Sequence, residues 1–182
     1  MMLVERIADL VIAIRRASGQ QRLLRLTVLI GPLVTFAAAC AAADHVLVPV
    51  GVVVAVLAIC CALQPDTNAA LIVLVVLVWD WAGAVHDHRT PWVLMAAAGL
   101  LAFHVGMAMS SIAPATVAWS PATRHRWARR VELVGALTIA AWLSTLAAHA
   151  IDLDGGALLL VIAVLLLAAA AVLVHAASLD RR

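Results

Sequence analysis

Three groups of side chains in this sequence could do chemistry. The first is Trp79-Asp80-Trp81 followed by His86-Asp87-His88. Two imidazoles around a carboxylate are donors that suit zinc or another transition metal, so His86, Asp87 and His88 form a candidate metal cluster. Short turns between helices draw on the same polar residues, and the spacing matches no established ligand motif such as H-E-x-x-H. Asp80 stands apart because it is drawn into an apolar run, about 8 Å from its end at 1.5 Å per residue. An acid at that depth either lines a proton or ion pathway or reaches the headgroup layer with its flanking tryptophans. The second group is His104, about 18 Å into another apolar run, with Met107 and Met109 a turn further on. A haem or copper reading needs a second ligand at the same depth. Neither His149 nor His175 falls there, which favours a neutral imidazole bonded to a neighbouring helix. Asp80 and His104 together are the candidate polar pathway. The third group is Arg124-His125-Arg126-Trp127-Ala128-Arg129-Arg130. Its Arg124, Arg126, Trp127, Arg129 and Arg130 suit anionic lipid headgroups or an acidic protein partner. Nucleophile elbow, P-loop and dinucleotide fingerprint are all missing, so no catalytic residue, enzymatic activity or cofactor is expected.

The elements that position these residues follow from composition. Of 182 residues, 66% are hydrophobic and 12% charged, with a mean hydropathy of +1.10. Soluble domains carry about 25% charged residues, and disordered chains are poor in Leu, Ile and Val, so both classes are excluded. The net charge of +2 is too small to point to nucleic acid. Cys40, Cys60 and Cys61 lie inside apolar runs and read as small hydrophobes rather than as a disulfide framework.

Six runs approach the roughly 20 apolar residues that a membrane helix needs: 24–43, 46–63, 69–85, 92–112, 131–150 and 157–177. The expected fold is therefore an all-α membrane protein with six transmembrane helices. Continuous rather than alternating apolar runs argue against a β-barrel. Thr90-Pro91 and Ser120-Pro121 place a capping hydroxyl before a proline at the first helical position. Asp44, Asn68 and Asp154 are candidate caps for the second, third and sixth helices. The polar segment 114–130 reads as a long loop, and Ala96-Ala97-Ala98-Gly99 allows close helix contact. Residues 1–23 show apolar positions Leu3, Val4, Ile7, Leu10, Val11 and Ile14 at helical spacing, an amphipathic helix lying on the membrane surface. The small residues 37–43 leave cleavage of the first span as an alternative. A short tail, 178–182, follows the last run.

Six spans sort the twelve arginines eleven to one: Arg89 alone falls on the second side. Because cytoplasmic flanks collect arginine, both termini are expected in the cytoplasm and the protein in the plasma membrane. The leading functional expectation is a non-enzymatic accessory or scaffold subunit of a membrane complex, with the bilayer and other protein subunits as partners. Alternatives are a small oligomeric transporter or channel using Asp80 and His104, and a membrane protein with a metal or redox cofactor.

The order of Leu63-Gln64-Pro65-Asp66-Thr67-Asn68, Thr90-Pro91-Trp92, His104 and Arg126-Trp127-Ala128-Arg129-Arg130 resembles a family of small actinobacterial multi-pass integral-membrane proteins of unknown function. The resemblance spans roughly residues 24–145 and brings no catalytic residues. Members are often encoded beside a MoxR-type AAA+ ATPase and a von Willebrand-factor-A-like protein. The resemblance thus implies a membrane partner of an ATPase-driven assembly system.

Overall fold

The computed structural model describes residues 18–64, 68–87, 89–112 and 119–150, without the side chains of 112 and 148–150. Five helices occur among them: α1 (Gly19–Ala43), α2 (Val48–Leu63), α3 (Ala69–Ala84), α4 (Trp92–Ile112) and α5 (Pro121–Ala150). The chain divides into two compact units, Met1–Val131 and Glu132–Arg182.

In the first unit α1 is the hub: α4 packs along it most extensively, and α2 and α3 pack against it and each other. The α1–α4 seam exists because three glycines leave room for backbone. A Cβ on Gly31 would stand 2.6 Å from the Gly99 carbonyl oxygen and 2.9 Å from Phe103 Cβ. One on Gly99 would stand 2.5 Å from Thr35 Oγ1, and one on Gly106 would stand 2.7 Å from Thr27 Oγ1. Thr35 closes the seam by donating to the Gly31 carbonyl at 3.1 Å and across it to the Ala96 carbonyl at 3.2 Å. As α1 runs from Thr27 to Thr35, its partners on α4 run back from Gly106 to Ala96, so the pair is antiparallel. Val28, Val54, Cys61, Val73, Leu77, Phe103 and Met107 form the buried core where the four helices meet.

The helix boundaries correct several sequence expectations. Three of the described helices are long and apolar enough to cross a membrane: Gly19–Ala43, Trp92–Ser111 and Pro121–Ala147. The expected second and third spans, 46–63 and 69–85, become helices of 16 residues. At 1.5 Å per residue each is about 24 Å long, short of a hydrocarbon core of about 30 Å. The sixth run, 157–177, lies outside the described residues, as do 1–17 of the amphipathic N-terminal segment and the tail 178–182. The boundary at residue 23 moves, because α1 already begins at Gly19, where Ser18 Oγ caps by accepting from Gln21 N–H at 3.2 Å.

Thr90 and Ser120 perform as expected. Thr90 Oγ1 accepts from Trp92 N–H at 3.3 Å, and Ser120 Oγ accepts from Thr123 N–H at 3.2 Å. Asp44 does the opposite of what was expected. It ends α1 in the left-handed region (φ 55°), while α2 starts after Leu47 with Pro49 in its first turn and no side-chain cap. Asp and Asn tolerate that backbone region better than most residues, so the same short polar side chain serves either helix end. Asn68 caps through its backbone carbonyl rather than its side chain. The polar segment expected as a loop is helical from Pro121, so α5 carries the arginine cluster and the following apolar run as one element of 30 residues.

Candidate functional site

Asp80 lies in the last turn but one of α3 and is 9% exposed. Asp80, His45 and Cys40 line one pocket, with Phe36, Ala39, Ala43, Leu47 and Ala84 completing its wall. Free space within it is about 10 Å³, close to the minimum for a single water. Sequence places these groups far apart. The α1–α2 turn brings His45 back over the end of α1, and α3 packs its own C-terminal end alongside. His45 is exposed, and its Nδ1–H donates to the Ala43 carbonyl at 2.9 Å. Asp80 has neither a hydrogen bond nor an ion pair among the described residues.

His104 is not part of this arrangement. It is exposed on α4, on the turn between Phe103 and Gly106 that faces Val28 and Gly31 of α1 from the other side. The pocket begins at Phe36 and Ala39, and Gly31 to Ala39 is about 12 Å along α1. The two members of the candidate pathway therefore occupy different surfaces and levels of the first unit.

Of the candidate metal cluster, His86 and Asp87 are exposed, and His88 lies outside the described residues. Asp87 is used locally: its Oδ1 accepts from Arg89 N–H at 3.0 Å and stands 4.0 Å from Arg89 Nε. Both side chains are open to solvent, where such a pair contributes little. Among the described residues no group of three or more His, Cys, Asp or Glu side chains converges to hold a metal ion, and Cys40, His45 and Asp80 do not meet that geometry either.

The basic cluster is a helical stem. Arg124, Arg126, Arg129 and Arg130 are exposed in the first turns of α5, and Trp127 is half-buried. Arg130 lies over the Trp127 ring, 5.6 Å from its centroid, within cation–π reach. At 3.6 residues per turn Arg126, Arg129 and Arg130 share one face and Arg124 the other. The start of α5 is tied to the hub, because Trp119 N–H donates to Gln20 Oε1 at 2.8 Å.

Sequence reasoning missed Cys40, which it read as packing and which the structure places on the pocket wall. It also missed Arg25, whose Nε and Nη1 are shut from solvent and have no hydrogen-bond partner among the described residues. Arg25 stands on the α1 face that buries Gln21 and Val28, a position its membership of an arginine-rich flank conceals. No protein-family profile, curated protein or solved structure matches the chain.

Proposed function

We propose that this chain is a non-enzymatic accessory or scaffold subunit of a membrane complex. One observation carries the reading: His104 sits midway along a helix long enough to cross a membrane, yet on its exposed side. An imidazole facing hydrocarbon leaves a donor and an acceptor without partners, at a cost of several kcal/mol or so for each. A further helix that bonds it removes that cost, and small polar side chains are the usual adhesive between membrane helices. The opposite face of α4 is already sealed against α1 by Gly99 and Gly106.

In this reading the chain sits in the plasma membrane with both ends and the arginine-rich flanks on the cytoplasmic side, as the distribution of arginine favours. The stem of α5 then projects its guanidinium groups among cytoplasmic headgroups and towards an acidic soluble partner. The family resemblance suggests a component of an ATPase-driven assembly system for that partner. A transporter or channel through Asp80 and His104 is less well supported, because the two residues lie on different surfaces. The test is extraction in mild detergent followed by native mass spectrometry. We expect the chain to be recovered in stoichiometric association with another subunit, and His104→Leu to weaken that association. Recovery as a lone monomer across several mild detergents contradicts the proposal.

A further inference from the structure

Resting on the reading that a further helix covers His104, we infer that this helix is α4 of a second copy of the chain. The two copies of α4 run in the same direction about a two-fold axis along the membrane normal. Each α4 carries two seams. Ala96, Gly99, Phe103, Gly106 and Ser110 are its buried side, where Gly99, Phe103 and Gly106 meet α1. Leu94, Ala97, Leu101, His104 and Ala108 each stand two residues earlier, about 160° round the helix. On this second side His104 and Ser111, one step further along, are exposed and the others are half-buried.

From Leu94 to Ser111 the steps alternate three and four residues. That repeat lets two helices of like direction wind round each other at a shallow left-handed crossing, each position set against its own equivalent. Small side chains at Ala97, Ala108 and Ser111 allow the backbones to approach. The two His104 rings then meet at equal depth. A neutral imidazole has one donor and one acceptor, so two of them bond to one another. A single polar residue in such a seam also fixes register and the number of helices. The hydroxyls of the chain are poor substitutes. Every serine and threonine in the apolar parts of the described helices already donates to a carbonyl of its own helix. None has a proton left for the acceptor nitrogen of His104, whereas a second α4 brings one.

Cysteine cross-linking of the full-length chain in membrane vesicles tests this, in a background with Cys40, Cys60 and Cys61 replaced by alanine. Ala97→Cys and Ala108→Cys lie on the second seam, and Ala102→Cys lies about 120–140° away from them. Two differently tagged copies are co-expressed, oxidised with copper phenanthroline and captured through one tag. We expect disulfide-linked pairs carrying both tags at positions 97 and 108, several-fold above position 102. His104→Leu should lower both several-fold, and His104→Asn, which keeps a donor and an acceptor, should retain them. Equal linking at all three positions, the mark of random collision, overturns the inference, as does linking at none. When none links, recovery of the chain with a different subunit leaves the scaffold reading standing, and recovery as a lone monomer removes both. The three single-cysteine forms all keep His104, so the scan decides even if His104→Leu does not fold.

Discussion

At the scale of single residues, the seam between α1 and α4 shows how little side chain decides the packing. Gly99 has the Thr35 hydroxyl and the Gly31 carbonyl where a Cβ would stand, whereas Gly83 has nothing within 4 Å. We therefore expect Gly99→Ala to destabilise the chain by about 1–3 kcal/mol, because backbone cannot yield as a side-chain tip can. Gly83→Ala should be neutral or stabilising by up to about 1 kcal/mol. Unfolding of both variants in mixed micelles measures the contrast. Thr35→Val removes the one hydroxyl that crosses the seam, and a loss of about 0.6 kcal/mol is expected, the average for interhelical hydrogen bonds in membranes. The run Ala96 to Gly99 announces close contact in the sequence, and Ala96 and Gly99 are indeed the positions used. Which α1 residues meet them is not legible, because an alanine-rich chain offers many equivalent small surfaces. The same limit hides the pocket: Asp80 is conspicuous by its charge, but Cys40 and His45 reach it only through the packing of α3 against α1.

At the scale of elements, helix starts are more legible than helix lengths. Ser-Pro and Thr-Pro carry a physical instruction, a hydroxyl to cap and a ring preset for the first turn, and both are obeyed. Asp44 carries two possible instructions, and the local chain cannot choose between a start and a stop. The stem of α5 was hidden for a related reason: four arginines in seven residues suggest a solvated loop by hydropathy, although arginine is a good helix former. Continuity of stem and span makes a prediction of its own. Ala128→Pro removes a helical hydrogen bond and clashes with the preceding turn, costing about 3 kcal/mol or more. Circular dichroism should register lost helix, and binding to phosphatidylglycerol vesicles should fall as the stem is uncoupled. Replacing Arg126, Arg129 and Arg130 with Gln should weaken the same vesicle binding by about 1 kcal/mol per residue while leaving helix content unchanged. Unaltered binding would assign the face to protein contact alone.

At the scale of the whole molecule, composition points to a membrane, and three helices among the described residues have the length and apolar character to cross one. The short helices α2 and α3 show why counting apolar residues overstates spans. Residues such as Val46 and Val85 are as hydrophobic as their neighbours, yet they lie outside the helical segments. The arginine asymmetry gives the account its direction, since His125 on the α5 stem and His86 after α3 are expected on opposite sides of the bilayer. The most direct test places a single cysteine at either position, His125→Cys or His86→Cys, in a background without Cys40, Cys60 and Cys61. Intact cells are then treated with a membrane-impermeant maleimide. We expect labelling at position 86 from outside and at position 125 only after permeabilisation. Labelling of position 125 in intact cells would contradict the arrangement.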